Sequence, residues 1–169
     1  VVTNDDELSN KIRAIRTQGV ENVKDPIEWP LPGHNFRFND IAASIGIEQL
    51  KKISARIKHL KSIYEEYRKS LVGTQFTLIP VNIDSGEVPV YNEFIVENRQ
   101  DWISRLETNN IETRAFYPSI NSAKYLQQSE ETFSNSDFFS KNGIYLPSGP
   151  SQKISSIRKT ISTIKKIEL

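Results

Sequence analysis

From Ala43 to Leu71 the residues Ala43, Gly46, Leu50, Ile53, Ile57, Leu60, Tyr64, Tyr67 and Leu71 recur in unbroken steps of three and four. Such spacing returns every member to one face of an α-helix and to neither face of a strand. Asn39 supplies an N-cap and Gly73 a stop, so the pattern predicts one helix over 39–72. At 1.5 Å per residue it would be about 50 Å long, roughly twice what a small core can cover. Such a helix spans two packing environments. The small residues Ala42, Ala43, Ser44 and Gly46 at its start permit close approach by another backbone, whereas the later seam wants bulky partners. A solitary helical interaction module is the alternative reading, with Phe36, Arg37 and Phe38 as a mere lead-in.

The flanking segments predict a mixed α/β (α+β) fold. Asn4 with Glu7 three residues later resembles a capping box, and Leu8, Ile12 and Ile15 follow at helical spacing. A first helix is expected over about 5–18, with Gly19 at its C′ position. Residues 20–38 carry Pro26, Trp29, Pro30, Pro32 and Gly33, a long irregular stretch of the kind that is often functional. Beyond Gly73 the period changes. Phe76–Pro80, Val88–Val96 and Ile111–Tyr117 read as strands, and 144–147 as a further extended segment. Helices are expected over 101–109, closed by Asn109-Asn110, over 134–142, and after a Ser151 cap with Ile154, Ile157, Ile161 and Ile164 on one face. The expected division is 1–38, 39–72 and 73–169. The opening Val1-Val2-Thr3 reads as the end of a strand whose beginning is missing, and we expect a piece of a longer protein.

Composition removes many chemistries. With 22 Lys and Arg against 21 Asp and Glu, the formal charge of +1 provides no basic field for nucleic acid. No apolar run approaches the roughly 18 residues that cross a bilayer, so no membrane partner is expected and the cytoplasm is the default location. The chain has no Cys, and its two His, His34 and His59, offer no pair at metal-binding spacing. No dinucleotide fingerprint, P-loop, H-E-x-x-H or nucleophile elbow occurs. His59 lies a step off the helical seam and reads as an edge residue, while the basic residues of the last helix (Lys153, Arg158, Lys159, Lys165, Lys166) read as its solvent face. His34, beside Asn35 in the irregular stretch, is open to either a structural or a functional role. From its residues alone the chain carries no complete active site.

Four ordered blocks resemble the C-terminal half of the DegT/StrS family of sugar aminotransferases: "VVTNDDELSNKIRAIRTQG", "GHNFRFNDIAASIGIEQLKK", "NNIETRAFYPSI" and "IYLPSGPSQKISSIRKTISTIKKI". The most specific element is Gly33-x-Asn35-x-Arg37 followed by Asp40-x-Ala42-Ala43-x-x-Gly46-x-x-Gln49-Leu50. The resemblance implies the C-terminal part of an aminotransferase type I fold, a long connecting helix plus a small sheet-and-helix domain. It further implies a homodimeric pyridoxal 5'-phosphate enzyme that moves an amino group from an amino-acid donor to a nucleotide-linked keto-sugar. The family's Schiff-base lysine would lie upstream of Val1, so this stretch alone should be inactive.

By the same resemblance Asn35 matches the residue that reaches the cofactor phosphate of the other subunit, held in place by packed aromatics. Arg37 is either a second anion contact or half of an ion pair that fixes the loop. His34, Arg114 and Tyr117 match positions bordering the substrate. The family often has His after the Tyr-Pro pair, where this sequence has Ser119-Ile-Asn121. A dehydratase branch of the family, with His in place of the lysine, is the nearest rival.

Overall fold

The computed structural model describes residues 1–20, 30–123 and 132–168. Pro26 and Trp29 of the expected irregular stretch lie outside them. Two compact units form, Val1–Lys52 and Ile53–Leu169. The first holds α1 (Asp6–Arg16) and α2 (Asp40–Leu50). The second holds α3 (Ile53–Ser70), β1 (Thr77–Leu78), β2 (Asn92–Ile95), α4 (Arg99–Thr108), β3 (Arg114–Ala115), α5 (Ser134–Asn142), β4 (Gly143–Leu146) and α6 (Ile154–Glu168).

The single helix expected over 39–72 is therefore two. Asn39 caps α2 through its side chain, which accepts from the Ala42 N–H at 2.8 Å. At the other end Lys52 donates to the Gln49 carbonyl, three residues back, and the regular ladder stops. Leu50 and Ile53 are 64% and 47% exposed, so packing among the described residues does not hold the helix through the break. Periodicity marked the face without supplying a partner for it. The second half of the seam behaves as expected: Leu60, Tyr64, Tyr67 and Leu71 are buried.

In the second unit the sheet order is β1-β2-β4-β3, antiparallel throughout. Alternation sends Phe94 of β2 and Ile144 and Leu146 of β4 into one core with Ile63 and Tyr67 of α3, Leu106 of α4 and Ile157, Ile161 and Ile164 of α6. Edge-to-face aromatic pairs continue through it, from Tyr67 to Phe94 to Phe76 to Trp102. The strands are shorter than their β-rich sequences suggested, because β4 offers only four residues before Pro147 and pairs with β3 over just Arg114↔Tyr145 and Ala115↔Ile144. Val88–Tyr91 fall outside β2. Arg99 fastens the α5–β4 junction, donating from Nη1 to the carbonyls of Ser140 and Gly143.

Three caps differ from expectation. Asp5, not Asn4, caps α1, accepting from the Leu8 N–H at 2.9 Å. Gln18 takes the left-handed C′ position (φ 63) and Gly19 follows as C″. The α6 helix starts at Ile154, with the N–H groups of Ser156 and Ile157 both bonded to the Lys153 carbonyl, so Lys153 rather than Ser151 stands at its N-cap.

Glycine substitutions separate these effects. A Cβ on Gly143 would lie 2.3 Å from the Phe116 ring, whereas one on Gly46 meets only Phe38 at 3.8 Å. Gly143→Ala is expected to lose about 1–3 kcal/mol to overpacking, and Gly46→Ala to gain up to about 1 kcal/mol of helix propensity. Urea unfolding of the two variants, followed by circular dichroism, checks the opposite signs.

Candidate functional site

In the first unit the motif loop is built onto the end of α1. Gly19 N–H closes the helix on the Ala14 carbonyl at 2.8 Å. The companion bond of such a cap is replaced by the loop itself: Gln18 donates to the His34 carbonyl at 3.1 Å and His34 donates to the Ile15 carbonyl at 3.0 Å. Phe36 N–H adds a bond to the Arg16 carbonyl, and Asn35 bridges Thr17. The two backbones touch so closely that a Cβ on Gly33 would lie 2.1 Å from Gly19 N. Gly33 is thus required by contact, not by loop flexibility.

That anchoring corrects one expectation. Phe36 and Phe38 are 64% and 74% exposed and do not hold the loop; only a tilted His34–Phe36 ring contact, 5.3 Å between centroids, survives from the packed-aromatic picture. Backbone bonds and the Gly19–Gly33 contact hold it instead. Asn35 Oδ1 accepts from both the N–H (3.4 Å) and the Nε (3.0 Å) of Arg37. Its Nδ2, the remaining donor of an exposed side chain, has no partner among the described residues. Arg37 has no carboxylate partner among the described residues; it orients Asn35.

In the second unit Arg114 and Tyr117 come together at the edge of the sheet. The Arg114 guanidinium carbon sits 4.4 Å over the Tyr117 ring, and its Nη2 meets the Tyr117 hydroxyl. Phe116 stacks on Tyr145 at 4.5 Å. Arg114, Tyr117 and Tyr145 border a slot of about 650 Å³ between residues 110–114, the exit from β4 and α6. Its position follows from the end of α4. Asn110, left-handed at φ 57, donates to Glu107 while Ile111 donates to Leu106, which turns the chain so that its pairing with β4 begins at Arg114. On the far wall the buried Tyr67 hydroxyl donates to the Pro147 carbonyl at 3.1 Å. His59, an edge residue as expected, also fixes this wall: its Nε2 lies 2.7 Å from the Gln152 carbonyl.

Lys159, read from sequence as solvent-facing, lines the slot together with Ser156 and Thr160. The i, i+3, i+4 spacing of these three marks one polar strip beside the isoleucine face and was the available signal. Arg158 next to it points elsewhere, to Glu66 at 2.7 Å, and holds that carboxyl below its ordinary value. Asn121, standing where His was expected, is tied down: its Nδ2 donates to Asp137 at 3.3 Å and its Oδ1 meets the Ser119 hydroxyl. Among the described residues no His, Asp and Glu cluster could hold a metal ion, and no helix is long and apolar enough to cross a membrane.

The model of the DegT/DnrJ/EryC1/StrS aminotransferase family matches residues 1–165. The chain belongs to that family. The GDP-perosamine synthase of Vibrio cholerae is 29% identical to this family member over 178 residues, covering 98% of this chain and 47% of that protein. The chain thus spans about half the length of the curated relatives it matches. Among solved structures, the sugar aminotransferase CalS13 of Micromonospora echinospora superposes with a TM-score of 0.83 at 21% identity, over 98% of this chain and 46% of that one. The E. coli GDP-4-keto-6-deoxy-D-mannose-3-dehydratase with bound hydrated PLP superposes at 0.73 with 19% identity, over 96% of this chain and 49% of that one. The fold is therefore mixed α/β and that of the C-terminal part of these proteins.

The slot has an electrostatic signature. Burial and the Glu93 carboxylate push the Tyr145 hydroxyl above its ordinary pKa, while Arg114 pulls against them. Arg114→Ala is expected to raise the Tyr145 pKa further, because the only lowering influence is removed. A tyrosine NMR titration of both proteins checks the direction, and a fall would show that Arg114 does not act on Tyr145.

Proposed function

We propose that this chain is the C-terminal part of a pyridoxal 5'-phosphate-dependent aminotransferase that acts on a nucleotide-linked keto-sugar. The family match over residues 1–165 carries the reading, and the exposed amide of Asn35 supports it. Residues 1–38 belong with the cofactor domain, 39–72 connect, and 73–169 form the small domain. The Schiff-base lysine lies outside this stretch, which is inactive alone. The protein is a cytoplasmic homodimer, and the exposed Ile41, Ile45 and Leu50 of α2 face either the partner or the remaining domain.

The chemistry pyridoxal phosphate supplies when bound is electron withdrawal from the carbon that loses or gains the amine. The residues of this chain bind and orient. Asn35 Nδ2 donates to a phosphate oxygen of the cofactor bound in the other subunit, a role suited to an amide whose oxygen is already filled. Arg37 keeps that amide turned and adds positive charge near the anion. His34 is fixed through both backbone polar groups, so its ring is set at the same loop, where it can border the substrate. Arg114 and Tyr117 border the sugar nucleotide in the small domain. The amino donor is an amino acid.

A dehydratase reading draws on the likeness to the E. coli dehydratase, at 19% identity a likeness of fold alone. Sequence relatives such as the perosamine synthase and the dTDP-4-amino-4,6-dideoxy-D-glucose transaminase of E. coli favour transamination. A purely helical interaction module is disfavoured by the match over the whole chain.

Asn35→Ala in the full-length protein is expected to weaken cofactor affinity about ten- to a hundred-fold, the cost of one hydrogen bond to a charged group. The melting temperature of the apo-protein should change little, because Asn35 is exposed. Unchanged cofactor affinity with a lowered melting temperature would leave Asn35 as a residue of the α1 cap only.

A further inference from the structure

We infer that residues 149–152, in the turn that leads from β4 into α6, form a latch that carries part of the slot wall, hinged at Gly149 and closed by the side chain of His59. The latch does not depend on what occupies the slot, so it stands apart from the function proposed above.

The turn has little backbone bonding of its own. Pro147 and Pro150 have no N–H to donate, and among the described residues one backbone–backbone bond forms within 147–152, from the Gln152 N–H to the Gly149 carbonyl at 3.2 Å. Side chains of other elements set its position instead. At its start they belong to Tyr67 and Asn92, both fully buried. The Tyr67 hydroxyl donates to the Pro147 carbonyl, while Ser148 Oγ accepts from the N–H (2.9 Å) and Nδ2 (3.1 Å) of Asn92 and donates to the Leu146 carbonyl at 2.7 Å. This end is fastened to the core.

The far end is held differently. There the fastener is His59, half-buried on α3, whose Nε2 lies 2.7 Å from the Gln152 carbonyl. A carbonyl oxygen only accepts, so Nε2 is the donor and carries the proton. Between the two ends Gly149 takes φ 104, and a Cβ there would meet nothing within 4 Å, so the backbone can turn at that point without displacing a neighbour. Past Lys153 the α6 helix begins, and its Ile157 is buried in the core, which confines the movement to the turn. Gln152 lines the slot together with Ser156 and Lys159, so releasing the latch shifts one of its walls. His59 acts on the slot through Gln152 and is a positioning residue.

Limited trypsin digestion of the full-length protein tests the latch, because the Lys153–Ile154 bond follows it directly and is cut when the turn and the start of α6 open. Initial rates are read by mass spectrometry at low trypsin, where cleavage follows the population of the open form. The Arg105–Leu106 bond, in α4 with Leu106 in the core, reports global unfolding. His59→Ala should speed cleavage at Lys153 about three- to tenfold, the effect of losing one hydrogen bond, and leave cleavage at Arg105 unchanged. Side-chain reach gives a sharper comparison. Gln places its amide nitrogen where His has Nε2, and Asn places its own where His has Nδ1. His59→Gln should therefore stay within about twofold of the unsubstituted protein, and His59→Asn should match His59→Ala. Unchanged cleavage at Lys153 in His59→Ala, a matching rise at Arg105, or equal rates for the Gln and Asn variants would overturn the latch.

Discussion

The last carbonyls of a helix must find donors, and in each unit the way they do so places a group of candidate residues. At the end of α1, Gln18 and Gly19 turn left-handed, and the Gln18 N–H and Ile15 carbonyl are satisfied by the backbone of His34. The motif loop is therefore part of the helix cap and cannot drift without breaking it. At the end of α4, Asn110 makes the same turn with a complete set of cap bonds, and Ile111 enters the core against Leu106. That exit angle delays pairing with β4 until Arg114, and residues 110–114 line the slot.

Charge is distributed with equal economy. Most arginines of the second unit are occupied by neighbours on their own or adjacent helices, exposed pairs that contribute little stability. Among the described residues, Arg37 in the first unit and Arg114 in the second are engaged by neutral groups, of Asn35 and Tyr117 respectively. Asn35 differs in kind: it is a neutral donor whose direction is set because Arg37 occupies its oxygen.

Much of this was legible in the chain. Capping residues and periodicity gave helices close to those observed, including Ser134–Asn142 and the Asn39 cap, because local hydrogen bonds decide them. The family blocks were legible because they are contact requirements: Gly33 cannot carry a Cβ against Gly19. What failed was whatever needed a partner. The seam through Leu50 and Ile53 looked continuous, yet both are exposed among the described residues, and the helix breaks. Phe36 and Phe38 looked like anchors and are exposed. Lys159 is exposed, as its place on the polar side of the last helix suggested, but a helical wheel could not show that it also lines the slot.

Under the proposed function, this chain completes a cofactor site whose reactive lysine lies elsewhere in the same protein. Borohydride reduction of the full-length protein with pyridoxal phosphate, followed by peptide mapping, tests it most directly. The account predicts one labelled lysine per chain, located N-terminal to Val1. A label on a lysine within these 169 residues, or bound cofactor that leaves every lysine unlabelled, would contradict it.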